Sequence, residues 1–189
     1  MTPMSEPSAS RDSPAPPPLR PSARFMFSHP AHFVALGFGS GLSPVAPGTA
    51  GTLWAWLSFL VLQRWLSPAD MGWLIAVSIP LGWVVCTVTA RNMRVLDPGS
   101  IVWDEVVAFW LVLWLVMPTG LLGQAIAFAL FRYFDAAKPG PVGWADGLVH
   151  GIHPGNNRHP WLWAGLGIMA DDLVAAGCTL LVIALWRFW

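Results

Sequence analysis

The run VVAFWLVLWLVMPTGLLGQAIAFALF, from Val106 to Phe131, decides how the chain folds. It carries no charge, yet Asp104 and Glu105 stand just before it, and Arg132, Asp135 and Lys138 follow it closely. As one straight helix rising about 1.5 Å per residue, it would be roughly 39 Å long and would put the two charged groups on opposite faces of a bilayer. Broken at Pro118-Thr119-Gly120, it becomes two arms of about a dozen residues, each about 18 Å long and short of a hydrocarbon core of about 30 Å. The second arm then returns Arg132, Asp135 and Lys138 to the side of Asp104 and Glu105. The spacing therefore predicts a re-entrant or protein-buried helical hairpin.

A second apolar run, Trp161 to Trp186, encloses another acidic pair, Asp171 and Asp172. A carboxylate at membrane depth costs about 2.5 to 3.5 kcal/mol, so an adjacent pair calls for cations. Gly165 and Gly167 are expected to break the run ahead of the pair. Asp171 and Asp172 would then open the terminal helix, where the helix dipole favours them.

Composition agrees with an apolar surrounding. Hydrophobic residues make up 55% of the 189 residues and charged residues 11%, against about a quarter charged in soluble domains. Mean hydropathy is +0.56, and thirteen tryptophans accompany one tyrosine, which suits a protein with bilayer interfaces. The fold class expected is all-α: a multi-helix integral membrane bundle in the lipid bilayer. Zero formal net charge gives no case for nucleic acid as a partner. Cys86 and Cys178 lie deep in apolar runs without metal-ligand spacing and read as core residues.

Upstream, residues 1–24 are rich in proline, serine and alanine and cannot bury enough surface to order themselves. A Pro-rich tail is expected over 1–30 and a single domain over 31–189. From His32 to Gly51 the chain is crowded with glycine and proline, which make turns. Pro47-Gly48-Thr49 then opens an apolar helix whose free amides, with the hydroxyls of Thr49 and Thr52, offer an anion site, although most such clusters are only turns. Ser67-Pro68-Ala69-Asp70 is a helix start of the capping-box kind, leading into a run long enough to span a bilayer, with Pro80 inside it and Arg91 and Arg94 at its end. The arginines of the tail and of that end favour the same, cytoplasmic side, with two spanning helices between them. Residues 132–160, rich in proline and glycine, read as a loop.

Five carboxylates, Asp104, Glu105, Asp135, Asp171 and Asp172, form a hard-oxygen set suited to Mg²⁺ or Mn²⁺. Arg132 and Lys138 would be out of place in a cation pathway but fit a site that holds phosphate oxygens. Of His150, His153 and His159, only His150 stands near enough to the charged cluster for acid or base work.

The blocks GFGSGLSPVAPGTAGTL, SIVWDEVVAFW, FALFRYFDAAKPGPVGWADGLVHG and GIMADDLVAAG occur in order from about Phe33 to the last helix. The chain thereby resembles the phosphatidylglycerophosphatase A family. The resemblance implies an α-helical, Mg²⁺-dependent enzyme of the bacterial inner membrane, multi-pass and with its site facing the cytoplasm, that converts the phospholipid phosphatidylglycerophosphate to phosphatidylglycerol and phosphate. It implies Asp104, Glu105, Asp171 and Asp172 as metal ligands, and Gly48, Thr49, Arg132 and Lys138 as substrate contacts. Asp135 is the expected base for an attacking water and His150 the expected acid. Two features depart from the pattern: Ala108 replaces a glycine, and residues 152–164 lengthen the connection into the second acidic pair.

Overall fold

The computed structural model describes residue 19 and residues 21–150 and 159–188, with backbone only at 145, 146, 148–150 and 188. All regular structure among the described residues is helical: α1 (Ala23–Met26), α2 (Pro30–Ala35), a 3-10 segment (Gly37–Leu42), α3 (Pro47–Leu62), α4 (Pro68–Met93), α5 (Trp103–Val116), α6 (Leu121–Ala137), α7 (Pro141–His150) and α8 (Pro160–Phe188). Most of the expected tail lies outside the described residues. Within its span, Ser22 caps α1 through its side chain and Leu19 N–H donates to Met93 O at 3.1 Å.

The hairpin is present. α5 has 14 residues and α6 has 17, and the chain reverses between them at Met117–Gly120, so neither arm has the roughly 20 residues of a spanning helix. Phe109 meets Phe128 edge-on at 5.7 Å and Phe131 at 5.5 Å, which packs the arms together near their charged end. α5 is the central element: Val106, Val107, Ala108, Phe109 and Val112 are wholly buried. Ala108 therefore occupies a fully packed position.

Two helices, α4 and α8, are long and apolar enough to cross a membrane. α3, with 16 residues, rises about 24 Å and falls short of one of the two crossings expected ahead of Arg91. The capping box at Ser67 and Asp70 forms in full.

Two expectations are corrected. α8 runs unbroken from Pro160, so Asp171 and Asp172 stand in its middle rather than in a first turn. The glycine at 165 serves packing: a Cβ there would lie 2.9 Å from the Thr87 backbone nitrogen on α4, a close approach that outweighs the ~1 kcal/mol glycine costs inside a helix. Residues 132–160 are not one loop either. α6 continues to Ala137, and α7 begins at Pro141, where the missing N–H of proline is tolerated at a first helical position.

Indole hydrogen bonds fix the relative directions of the helices. Trp110 Nε1 donates to Ala55 O at 3.0 Å and Val102 packs on Gly51, so α3 and α5 run parallel from one end. Trp103 Nε1 donates to Ser78 O at 3.4 Å and Trp114 Nε1 to Pro68 O at 2.8 Å, so α4 runs against them. Arg187 Nη2 donates to Val116 O at 3.1 Å, tying the end of α8 to the far end of α5.

Candidate active site

Asp104 and Glu105 occupy the first turn of α5, and Asp172 faces them from α8. One oxygen from each lies within 4.8 Å of the others, and the residues are only 8%, 9% and 3% exposed. Asp104 Oδ1, Glu105 Oε2 and Asp172 Oδ2 are buried without a hydrogen-bond partner. Three crowded carboxylates with orphaned oxygens are costly unless a cation offsets them. An all-oxygen donor set of this kind fits a hard divalent ion.

A cavity of about 150 Å³ adjoins the trio and is also bordered by Asp97, Asp135, Lys138, Ile168 and Asp171. Asp171 lies outside the trio on the same cavity and pairs with Lys138, whose Nζ lies 2.7 Å from Asp171 Oδ2. Arg132 Nη1 sits 3.7 Å from Glu105 Oε1, contacts Asp135 Oδ2, and donates to Thr52 Oγ1 at 3.4 Å. The hairpin thus delivers its cation to the acidic pair, as its spacing requires.

The start of α3 completes this wall. A Cβ on Gly48 would lie 3.1 and 3.2 Å from the Arg132 Nη1 and Nη2 nitrogens and would collide with Glu105 Oε1. Only a bare backbone lets α3 approach the carboxylate and guanidinium this closely. Thr52, one turn on and wholly buried, donates to Gly48 O at 2.9 Å while accepting from Arg132. The hydroxyl that meets the guanidinium is therefore that of Thr52, with Thr49 half-buried beside it.

The structure brings together Asp104, Glu105, Asp135, Arg132, Lys138, Asp171, Asp172 and Gly48. His150 ends α7, but its side chain lies outside the described residues, as does His153; His159 is exposed just ahead of α8. Sequence reasoning missed Asp97 as a wall of the cavity. Its position in the short connection from α4 to Asp104 was the available signal.

The family model for phosphatidylglycerophosphatase A matches residues 33–187. The phosphatidylglycerophosphatase A of Escherichia coli (strain K12) is 39% identical over 153 residues, covering 81% of each chain. That of Haemophilus influenzae is 34% identical over 169 residues, covering 89% of this chain and 96% of the relative. A Bacteroides thetaiotaomicron protein provisionally named phosphatidylinositol-3-phosphatase is 32% identical over 160 residues, covering 82% of this chain and 92% of its own length. No solved structure matches. With the match running from α2 through α8 and across every carboxylate of the cavity, this chain belongs to the phosphatidylglycerophosphatase A family.

Proposed function

We propose that this protein is a Mg²⁺-dependent phosphatase of the bacterial inner membrane that hydrolyses the phosphate monoester of phosphatidylglycerophosphate, releasing phosphatidylglycerol and inorganic phosphate. One observation carries the reading: three buried carboxylates with orphaned oxygens within 4.8 Å of one another, beside a guanidinium and an ammonium. The names of the relatives supply the substrate, the two long apolar helices support a multi-pass protein, and Arg91 and Arg94 at the end of α4 that leads to the cavity favour a site on the cytoplasmic side.

Asp104, Glu105 and Asp172 would hold the ion, with Asp171 at its edge. When bound, Mg²⁺ supplies Lewis acidity towards a phosphoryl oxygen and offsets the carboxylates. Phosphate monoester hydrolysis is very slow without a catalyst, so placed charge must do most of the work. Arg132 and Lys138 bind the remaining phosphoryl oxygens, each already oriented by a carboxylate. The described lining of the cavity contains no serine, threonine or cysteine, and its carboxylates are assigned to the ion, to the cations or to a proton, so water is taken as the nucleophile; a trapped phosphoaspartate would overturn this. Asp135, on the cavity wall, accepts a proton from that water as its oxygen bonds to phosphorus and the ester bond to the glycerol oxygen breaks. His150 is assigned the proton that the departing glycerol oxygen takes up.

Phosphate release from a panel of lipid phosphates by purified protein, with and without Mg²⁺, tests the reading. Release from phosphatidylglycerophosphate should require Mg²⁺ and fall by orders of magnitude in Asp171→Asn and Asp172→Asn. Equal rates for wild type and variants would reject the site. The provisional name of the Bacteroides relative favours one competing reading, a different lipid headgroup, and the panel decides that as well.

A further inference from the structure

A larger cavity lies away from the trio. It is a lateral groove of about 680 Å³ between α3 and α4, floored by Trp103 and Trp110 of α5 and walled by Leu57, Val61, Leu74 and Leu81. Its volume is in the range of about 300 to 1,000 Å³ usual for ligand sites. The groove also starts at the acidic end. α3 and α5 run parallel from there, Gly48 touching Glu105 and Arg132 and Trp103 directly preceding Asp104. From Trp103 to Trp110, and likewise from Trp54 to Val61, seven residues carry the groove about 10 Å away from the site.

The chemistry of the lining selects hydrocarbon. The polar atoms of the floor are already used within the protein: Trp103 Nε1 on Ser78 O, and Trp110 Nε1 on Ala55 O and on Ser58 Oγ at 3.1 Å. Leu57 and Val61 are 65% and 52% exposed, so the groove opens sideways, towards the acyl region of a surrounding bilayer. At its upper end Phe38 holds a left-handed backbone, φ 56°, which costs a non-glycine residue about 1 to 2 kcal/mol. Its ring stacks on Trp54 at 4.9 Å and reaches Trp103 at 5.9 Å, capping the groove where it nears the site.

We propose that this groove holds one acyl chain of the lipid phosphate while its phosphate lies between Arg132, Lys138 and the carboxylates. The proposal rests on the phosphatase reading and adds where the lipid tail goes. The groove and the site are lined by the successive residues Trp103 and Asp104 at one end of α5, and this adjacency argues for the substrate's own chain over an unrelated bilayer lipid.

The test compares dioleoyl and dihexanoyl phosphatidylglycerophosphate in detergent micelles. Val61→Trp and Leu57→Trp fill the groove from its lower and middle parts, and Leu122→Trp on the outer face of α6 is the control. A misplaced group in an apolar pocket is worth about tenfold or more, so KM for the dioleoyl lipid should rise by about that factor in both groove variants with kcat kept. The dihexanoyl lipid, too short to reach Val61, should be hydrolysed by Val61→Trp as by wild type, which shows that the variant is folded. A dioleoyl substrate analogue with a photoreactive acyl terminus should label peptides from α3 or α4. Equal changes for both lipids, no change for either, or labelling spread over the outer faces of α6 and α8 would overturn the groove as the chain's site. Failure of wild type on both lipids would instead overturn the phosphatase reading beneath it.

Discussion

Asp171 and Asp172 are neighbours on α8 and point about 100° apart, and here the two directions lead to different partners. Asp172 completes the trio, and Asp171 holds Lys138. Sequence showed five carboxylates but not this division, because it depends on how α8 is rotated against α5. A consequence follows for stability. Mg²⁺ that binds only the folded protein raises its melting temperature by mass action, and Asp172→Asn should abolish most of that rise while making the metal-free protein no less stable, since one crowded carboxylate is gone. Thermal unfolding with Mg²⁺ or chelator measures both, and an undiminished Mg²⁺ shift in the variant would exclude Asp172 as a ligand. Thr52 is a positioning residue for Arg132. Its hydrogen bond is to a charged group, so Thr52→Val should lower kcat by about tenfold, with Thr52→Ser restoring it. A loss confined to Thr52→Ser would point to the methyl group and not the hydroxyl, and equal losses in both variants would mean that the hydroxyl alone does not position Arg132.

The elements differ in how far they could be read in advance. The α5–α6 hairpin was legible because chain length and Pro118 leave two short arms and the charges at both ends must meet. α8 was misread at Gly165 because a glycine that permits Thr87 to approach looks, in sequence, like one that ends a helix. α7 was hidden in a proline-rich stretch because Pro141 both interrupts one helix and begins another. The short α1–α2 pair is joined to α4 by a device that no periodicity shows. His32, 3% exposed, donates through Nδ1 to Phe25 O at 3.0 Å and accepts through Nε2 from Asn92 Nδ2 at 2.8 Å. This arrangement needs the neutral ring, and burial lowers the His32 pKa. The unfolded chain then binds the proton more readily than the folded one, so stability is full above the ordinary histidine value of about 6.5 and declines as pH falls below it. Melting temperatures from pH 8 to pH 5 should show this decline in wild type and a flatter profile in His32→Gln. Parallel profiles would mean that other groups govern the acid limb.

For the whole molecule, the question is which helix ends share a side. α4 is long enough to cross, whereas α5 and α6 leave the acidic end and return to it, with Arg187 and Val116 joined at the opposite end. The end of α4 leads through Asp97, and the end of α6 through Lys138, into one cavity. Arg91 and Ala137, both exposed near those ends, must therefore face the same aqueous phase, and Trp65, 80% exposed ahead of α4, must not face it. Cys86 is buried and Cys178 half-buried, so Cys86→Ala with Cys178→Ala gives a background into which Arg91→Cys, Ala137→Cys or Trp65→Cys is placed singly. In sealed vesicles of known orientation, a membrane-impermeant thiol reagent should modify the first two from the cytoplasmic face and leave the third unmodified from that face. Modification of Ala137→Cys only from the face opposite to Arg91→Cys would make α5 and α6 an odd number of crossings. Arg132 and Lys138 would then be carried away from Asp104 and Glu105, and the site would have no cations with which to hold a phosphate.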